Sequence, residues 1–111
     1  MIIFILGKSG SGKTTIGMKL KNDLNNFYNK KFILIDGDDI RSIYNDKIGH
    51  SIKDRRKNAL RVLNFCKFLD KQKIDIVVSV LSIFPDILKS NRESFEQYFE
   101  IAKQMFRQLW R

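Results

Sequence analysis

The sequence predicts an α/β fold in three layers, α/β/α, with a parallel sheet in the middle, and three observations carry this prediction. Three short apolar runs are rich in β-branched residues, as are strands buried on both faces of a parallel sheet. Longer segments with apolar residues at helical spacing separate these runs. Strands and helices that alternate along a chain are typical of parallel sheets. The 111 residues contain no repeat or linker, so we expect one domain over residues 1–111.

The N-terminal part of the chain predicts one strand and one helix. The apolar run Ile2–Leu6 is the first strand. The helix after it runs from Lys13 to about Tyr28, and its apolar stripe consists of Ile16, Leu20, Leu24 and Phe27.

The middle of the chain predicts two more strands with a long helix between them. The strands are Phe32–Asp36 and Asp75–Val80, and a loop containing Pro85 follows the second of these. The helix spans roughly residues 54–71, and its apolar stripe consists of Ala59, Val62, Leu63, Cys66 and Leu69.

A last helix is predicted over residues 94–110. Its apolar face consists of Phe95, Tyr98, Phe99, Ala102, Met105, Phe106 and Leu109. About three strands are thus recognisable, which is few for a sheet of this class, so we expect an incomplete sheet.

The composition of the chain indicates which classes of partner and which cellular compartment to expect. The chain carries 21 Lys and Arg against 12 Asp and Glu, a net charge of +9, which favours phosphates, nucleotides or nucleic acid as partners. The lone Cys66 excludes an intrachain disulfide and is most simply a core residue. The apolar N-terminus is too short to span a bilayer, so we expect a cytoplasmic protein without a membrane partner.

A phosphate-binding motif follows the first strand. Residues 7–14 read GKSGSGKT, which matches G-x-x-x-x-G-K-[ST] in full, between a predicted strand and a predicted helix. Its glycines let backbone N–H groups approach phosphate oxygens, Lys13 reaches the outer phosphates, and the Thr14 hydroxyl is the expected Mg²⁺ ligand. The motif predicts a P-loop NTPase fold with ATP and Mg²⁺ as cofactors; the alternative is a flexible Gly/Ser turn. The predicted phosphate site consists of Gly7, Lys8, Ser9, Gly10, Ser11, Gly12, Lys13, Thr14 and Thr15.

Acidic residues follow the second strand. Asp36, Asp38 and Asp39 precede Arg41 at the carboxyl end of this strand, where ligands gather in open α/β sheets. Phosphoryl transfer to a hydroxyl needs a carboxylate that accepts the proton and carboxylates that organise Mg²⁺. The alternative is a turn in which Asp38 or Asp39 caps the next helix.

Four stretches together carry a resemblance to a known family. In order they read GKSGSGKTT, LIDGDDIR, GHSIKDRRKNALRV and SVLSIF. Over roughly residues 2–100 the chain resembles the adenylylsulfate kinases. This resemblance implies transfer of the γ-phosphate of ATP to the 3′-hydroxyl of adenylyl sulfate, a step of sulfate assimilation that yields 3′-phosphoadenylyl sulfate.

The resemblance also implies roles for single residues. Asp36 and Asp38 match the acid pair that organises Mg²⁺ and activates the acceptor hydroxyl, and which acid does which stays open. Ser82 matches a serine for which we expect a positioning role. The implied catalytic residues are Lys13, Asp36, Asp38 and Ser82, and the implied metal ligands are Thr14 and Asp36. The implied residues that bind the nucleotide acceptor are Asp38, Arg41, His50, Arg55, Asn58 and Ser82.

Two departures from the family pattern lie on the acceptor side. His50 replaces a phenylalanine that stacks on the acceptor base, and it either stacks as well or is a solvated loop histidine. Ile83 replaces a proline after Ser82. Another acceptor, such as a cytidine diphosphate derivative, is therefore an open alternative to adenylyl sulfate.

The end of the chain predicts an incomplete kinase. The match fades near residue 100, where a fourth strand should begin, and the family continues with a lid and a further strand. In the usual strand order 2-3-1-4-5, loss of the last two strands would leave Ile2–Leu6 as an exposed edge, unless the last helix covers it. We expect a truncated kinase that binds ATP with weak or absent turnover, unless a partner chain, for example in a homodimer, completes the site.

A basic cluster on the second long helix favours no specific nucleic-acid partner. The cluster consists of Lys53, Arg55, Arg56, Lys57 and Arg61. No interleaved aromatic residues or RNA-binding motif accompany it. We expect one arginine at the acceptor anion and a solvated basic face for the remainder.

Overall fold

The computed structural model of this chain describes residues 1–7, 13–44, 46–80 and 84–102, apart from the side chains of Lys13, Thr14 and Ala102. The described residues form four strands that alternate with helices. In chain order these elements are β1 (Ile2–Leu6), α1 (Lys13–Tyr28), β2 (Phe32–Asp36), α2 (Gly37–Ile43), α3 (Ile52–Lys71), β3 (Asp75–Val80), α4 (Pro85–Ser94) and β4 (Tyr98–Ala102).

The four strands form a parallel sheet in the order β2-β3-β1-β4. Strand β1 lies in the interior of this sheet: Phe4 is opposite Val78 of β3 on one side and Glu100 of β4 on the other. The predicted α/β class and the parallel sheet are confirmed.

Helices cover both faces of the sheet, because successive apolar side chains of each strand point to opposite faces and both faces must be buried. On one face, Ile2 and Phe4 pack with Ile76 and Val78 under helices α3 and α4. On the other face, Ile3, Ile5 and Val77 pack against α1. The sheet thus has an apolar core on each side and opens to ligands at its strand ends. No described helix is both long enough and apolar enough to cross a bilayer.

Most predicted boundaries agree with the structure. Strands β1, β2 and β3 and helix α1 have the predicted limits. Helix α3 begins at Ile52 instead of near residue 54, because the Ser51 hydroxyl accepts a hydrogen bond from the Asp54 N–H and caps the helix there. The predicted stripe of α1 is wrong at one residue, since Phe27 is 79% exposed.

The predicted helix over residues 94–110 is wrong for its described part. Helix α4 ends at Ser94, and Tyr98–Ala102 is a strand paired with β1. Consequently a fourth strand is present, and β1 is not an exposed edge. Pro85 is also misplaced by the prediction, since it occupies the first turn of α4 instead of a loop. Met105, Phe106, Leu109 and Trp110 lie outside the described residues.

The thiol of Cys66 gives a direct test of the core between α3 and the sheet. This side chain is fully buried, and burial raises the pKa of the thiol from 9.0 to about 12. The thiolate is therefore about a thousandfold rarer at pH 8 than in an exposed cysteine, and we expect very slow reaction of the folded protein with a disulfide reagent. Unfolding in urea should restore fast reaction, with Cys66→Ser as the blank. Equal rates in the folded and unfolded protein would contradict the burial of Cys66.

Candidate active site

A single cleft brings together six of the residues that the sequence singled out. It opens at the carboxyl ends of β2 and β3, between these strands and helices α2, α3 and α4. Its volume, including the space open to solvent at its mouth, is about 890 Å³. We call it the polar cleft; the six predicted residues that line it are Asp36, Asp38, Arg41, His50, Arg55 and Asn58.

The two acids of the cleft are held by the start of helix α2. Oxygen Oδ1 of Asp36 accepts a 2.9 Å hydrogen bond from the Asp38 N–H, so Asp36 is the N-cap of this helix. Asp39 completes a capping box by accepting from the Asp36 N–H. The alternative of a capping turn is thus partly realised, although its cap is Asp36 and not Asp38 or Asp39. The same capping directs the exposed Asp38 side chain to the cleft.

Arg41 is fixed by backbone carbonyl groups of the segment before α3. Its Nη1 atom donates to the carbonyl oxygens of Ile48, at 3.1 Å, and Gly49, at 2.6 Å. Both acceptors are neutral, so the guanidinium keeps its positive charge available to an anionic ligand. Its Nε atom is buried and has no hydrogen-bond partner.

The 46–51 segment, which carries His50 to the cleft, is clamped onto helix α3. Asp46 makes paired hydrogen bonds with the Arg61 guanidinium, at 3.0 and 2.6 Å, and a third with Lys57 at 3.1 Å. Hydrogen bonds from Arg61 and then Lys57 hold the pKa of Asp46 well below its usual range. The clamp is therefore fully present above the ordinary pKa of an aspartate and is lost only as the pH falls through this lowered value. At the far end of the segment, the Gly49 N–H donates to Asp54 at 2.9 Å.

We expect Arg61→Ala to weaken binding of a ligand in the polar cleft while leaving ATP affinity unchanged. The substitution removes the paired bonds to Asp46, so the 46–51 segment, which carries His50, is held to α3 more weakly. Because the pair is at the surface, the loss should be about two- to fivefold. Titration calorimetry with each nucleotide measures it. Lys19→Ala, which breaks a surface ion pair on α1, is the control and should change neither affinity. Equal effects of the two variants would contradict a positioning role for the clamp.

Asn58 joins helix α3 to the turn between β2 and α2. Its Nδ2 atom donates to the Gly37 carbonyl oxygen at 3.2 Å, while its Oδ1 atom is buried without a partner. Arg55, one turn earlier on the same helix, is partly buried and also lines the cleft. Helix α3 therefore presents one cation and one amide to the ligand space.

The rest of the basic cluster is largely paired with acids. Arg56 forms an ion pair with Asp86 of α4, and Lys57 and Arg61 pair with Asp46. These contacts neutralise much of the basic face that the sequence predicted to be solvated. Arg55 is the arginine of this cluster that lines the cleft, and its role at an acceptor anion stays a prediction.

Buried polar atoms without partners concentrate in this cleft. Among the described residues, the buried side-chain atoms without a hydrogen-bond partner are Arg41 Nε, Asn58 Oδ1, Ser79 Oγ and Asn91 Oδ1. All four residues line the polar cleft. Because buried polar groups are normally paired, such a cluster is typical of a site whose ligand or bound water supplies the partners.

Two of these residues were missed by the sequence analysis. Ser79 interrupts the apolar run of β3 and lies opposite Asp36 in the sheet register, and this interruption was a readable signal. Asn91 lies on α4, a helix that the sequence did not predict at that position, so no pattern identified it.

The phosphate motif is only partly described. Its first residue, Gly7, donates its N–H to the Val80 carbonyl oxygen at 3.3 Å, which joins the end of β1 to the end of β3. Thr15 is exposed in the first turn of α1, which begins at Lys13 as the motif requires. Lys8, Ser9, Gly10, Ser11, Gly12 and Ser82 lie outside the described residues, as do the side chains of Lys13 and Thr14.

Comparisons with known proteins agree with this architecture. The family model described as adenylylsulphate kinase matches residues 1–108, beyond residue 100 where we expected the match to fade. A cytidine diphosphoramidate kinase of Campylobacter jejuni is 40% identical over 103 residues, which cover 90% of this chain and 58% of that protein. An adenylyl-sulfate kinase of Pseudomonas aeruginosa is 33% identical over 103 residues, which cover 90% of this chain and 52% of that protein. The chain thus spans about half the length of these relatives.

Solved structures share the fold. The APS kinase CysC of Mycobacterium tuberculosis, as a Cys556Ala mutant, superposes with a TM-score of 0.77 at 24% identity, covering 91% of this chain and 73% of that chain. A hexameric APS kinase from Thiobacillus denitrificans gives a TM-score of 0.74 at 22% identity, covering 93% of this chain and 22% of that chain.

Proposed function

Since this chain belongs to the adenylylsulfate kinase family, we propose that it transfers the γ-phosphoryl group of ATP to a hydroxyl of a nucleotide acceptor bound in the polar cleft. One observation carries the proposal. The cleft combines two carboxylates, Asp36 and Asp38, with two arginines, Arg41 and Arg55, at the carboxyl ends of the strands. Carboxylates can accept the proton of the attacking hydroxyl, and arginines can bind the acceptor's phosphate or sulfate.

The donor side is assigned to the phosphate motif. Lys13 and the backbone of residues 7–12 would hold the phosphates of ATP at the start of α1. Thr14 and Asp36 supply hard oxygen ligands that suit Mg²⁺, and Asp36 lies at the cleft. No group of three or more potential metal-ligating side chains occurs in the described ranges, which fits an ion held by few protein oxygens together with phosphates. When bound, Mg²⁺ would neutralise charge on those phosphates.

The chain's own residues would act on the acceptor hydroxyl. Its oxygen forms a bond to the γ-phosphorus, the bond from this phosphorus to the bridging oxygen of ADP breaks, and the hydroxyl proton passes to Asp36 or Asp38. Arg41, Arg55 and Asn58 would orient the acceptor, since their side chains already converge on the cleft. Ser82 would take a positioning role for the acceptor.

Adenylyl sulfate is the first candidate acceptor, and its 3′-hydroxyl would receive the phosphoryl group. This candidate follows from the family and from relatives named as adenylyl-sulfate kinases. Phosphorylation of this hydroxyl would assign the chain to sulfate assimilation.

Cytidine diphosphoramidate, a cytidine diphosphate derivative, is the second candidate acceptor. The 40% identity to the Campylobacter jejuni enzyme favours it. The sequence departs from the family motif at His50 and Ile83, two motif positions that the resemblance assigns to the acceptor, which is consistent with an acceptor other than adenylyl sulfate. His50 is exposed at the cleft, where it can stack on a base of either nucleotide.

A parallel assay of both acceptors tests the proposal. The full chain is incubated with ATP, Mg²⁺ and either adenylyl sulfate or cytidine diphosphoramidate, and ADP and the phosphorylated product are quantified. We expect transfer to one of the two and loss of transfer in Lys13→Ala. If ATP binds and Lys13→Ala abolishes its binding, yet neither acceptor is phosphorylated at any protein concentration, the chain is a nucleotide-binding module and the kinase proposal is wrong. Affinity of the chain for a nucleic acid that survives Lys13→Ala and falls steeply with salt would instead indicate a nucleic-acid partner.

A further inference from the structure

Asn91 is a buried amide that the proposed reaction leaves without a role. It lies on α4, is 1% exposed and lines the polar cleft. Its Oδ1 atom is buried and has no hydrogen-bond partner. A buried carbonyl oxygen in this state favours any ligand that brings a hydrogen-bond donor.

A chain of hydrogen bonds fixes the orientation of this amide. The Asn91 Nδ2 atom donates to the Tyr98 hydroxyl oxygen at 3.3 Å, and the Tyr98 hydroxyl donates to Glu100 Oε1 at 2.9 Å. Arg92 donates to the other oxygen of Glu100 at 2.7 Å. An ionised carboxylate only accepts, so the Tyr98 hydrogen is committed to Glu100 and its oxygen is left to accept from Asn91.

Burial keeps Tyr98 protonated. Burial raises the pKa of the Tyr98 hydroxyl well above its ordinary value. The Asn91 amide is therefore locked with its NH₂ group toward Tyr98, and its oxygen is the atom left to a ligand. A freely rotating amide could offer either a donor or an acceptor, whereas this one offers an acceptor.

The surroundings of Asn91 suit a flat, largely apolar ring. Ile87 and Leu88, one turn earlier on α4, line the cleft together with Phe4 of β1. The Phe4 ring also lies 5.5 Å from the ring of Tyr98, the residue that accepts the hydrogen bond from Asn91. Apolar walls beside a fixed acceptor are features by which a protein recognises a heteroaromatic base that carries an amino group.

We propose that the Asn91 carbonyl oxygen accepts a hydrogen bond from the exocyclic amino group of the acceptor's nucleobase, and that Asn91 thereby selects amino bases over oxo bases. The inference rests on the proposed function only in taking the cleft's ligand to be a nucleotide. Both candidate acceptors satisfy it, because adenine and cytosine each carry such an amino group. Tyr98 is the positioning residue that keeps the acceptor atom toward the base.

Binding of paired nucleotides tests this role without requiring turnover. With the phosphate motif saturated by ADP and Mg²⁺, the dissociation constants of AMP and IMP, and of CMP and UMP, are measured by calorimetry on the full chain. We expect the amino member of at least one pair to bind about tenfold more tightly, and Asn91→Leu to bring this ratio close to one. Tyr98→Phe should also reduce the ratio, because the released amide can turn its NH₂ group toward an oxo base.

Controls separate selectivity from stability. Asn25→Leu removes a partly buried asparagine of helix α1 that bonds the backbone of Phe32, and it should lower stability without changing either ratio. Equal binding of both members of each pair by the unaltered chain overturns the proposal, as does a ratio that persists in Asn91→Leu. If Asn91→Leu does not fold, an unchanged ratio in Tyr98→Phe overturns it. A clear ratio without phosphoryl transfer would refute the kinase proposal alone.

Discussion

Asp38→Asn should reduce the rate of phosphoryl transfer by about two to four orders of magnitude, the usual contribution of a positioned proton acceptor. Asp38 lines the polar cleft, and only its backbone N–H takes part in capping α2, so the substitution removes a carboxylate without removing a cap. Asp36→Asn should also reduce the rate strongly, because asparagine preserves the N-cap while the negative charge is lost. Single-turnover assays with ATP and the accepted nucleotide measure both effects.

The Mg²⁺ dependence of these variants distinguishes the two acids. The variant that lacks the proton acceptor keeps the Mg²⁺ requirement of the unaltered chain, whereas the variant that lacks the metal-organising acid needs more Mg²⁺ for its residual rate. Asp39→Asn is the matched control: Asp39 completes the capping box and does not line the cleft. A rate for Asp38→Asn above about a tenth of the unaltered rate would contradict the proposal that Asp38 is a catalytic residue.

Phe95→Ala should lower the free energy of unfolding by about 3–5 kcal/mol, the usual cost of a cavity left by a buried phenylalanine. Phe95 is 5% exposed, belongs to the core between the sheet and helices α3 and α4, and stacks on the Tyr98 ring at 5.9 Å. A loss of this size is a large part of the stability of an ordinary domain. Urea unfolding followed by circular dichroism measures it.

Phe27→Ala is the matched control for this substitution. The sequence placed Phe27 and Phe95 alike on apolar helical stripes, but Phe27 is 79% exposed. Its replacement should change the free energy of unfolding by at most about 0.5 kcal/mol. Similar losses in both variants would mean that burial does not distinguish these two phenylalanines.

The elements that could be predicted are those in which local pattern and tertiary environment agree. The apolar β-branched runs of β1, β2 and β3 have one structural use, a strand buried on both faces, and their limits were predicted correctly. Residues 94–110 could not be assigned in this way, because Phe95, Tyr98, Phe99 and Ala102 have helical spacing and also fit a short strand. The strand is favoured over the helix because Tyr98–Ala102 pairs with the edge of β1 that β3 does not cover. This pairing satisfies the backbone hydrogen bonds of that edge.

The candidate site was predictable where it depends on motifs and unpredictable where it depends on packing. The spacing of Asp36, Asp38, Arg41, Arg55 and Asn58 was enough to expect them in one place, and the structure lines one cleft with them. Asn91 was missed because its position depends on where α4 packs and on Tyr98 in β4, which are tertiary facts. The clamp between Asp46 and Arg61 likewise joins two elements that no local pattern connects.

The interior position of β1 has a consequence for how the chain is made. A ribosome synthesises Ile2–Leu6 before both of its partner strands, because Asp75–Val80 and Tyr98–Ala102 lie far later in the sequence. At ordinary elongation rates this apolar segment waits on the order of ten seconds with both edges unpaired. The nascent protein thus carries this apolar segment unpaired until β4 has been made, and its yield in a cell should depend on chaperones that hold the segment until then.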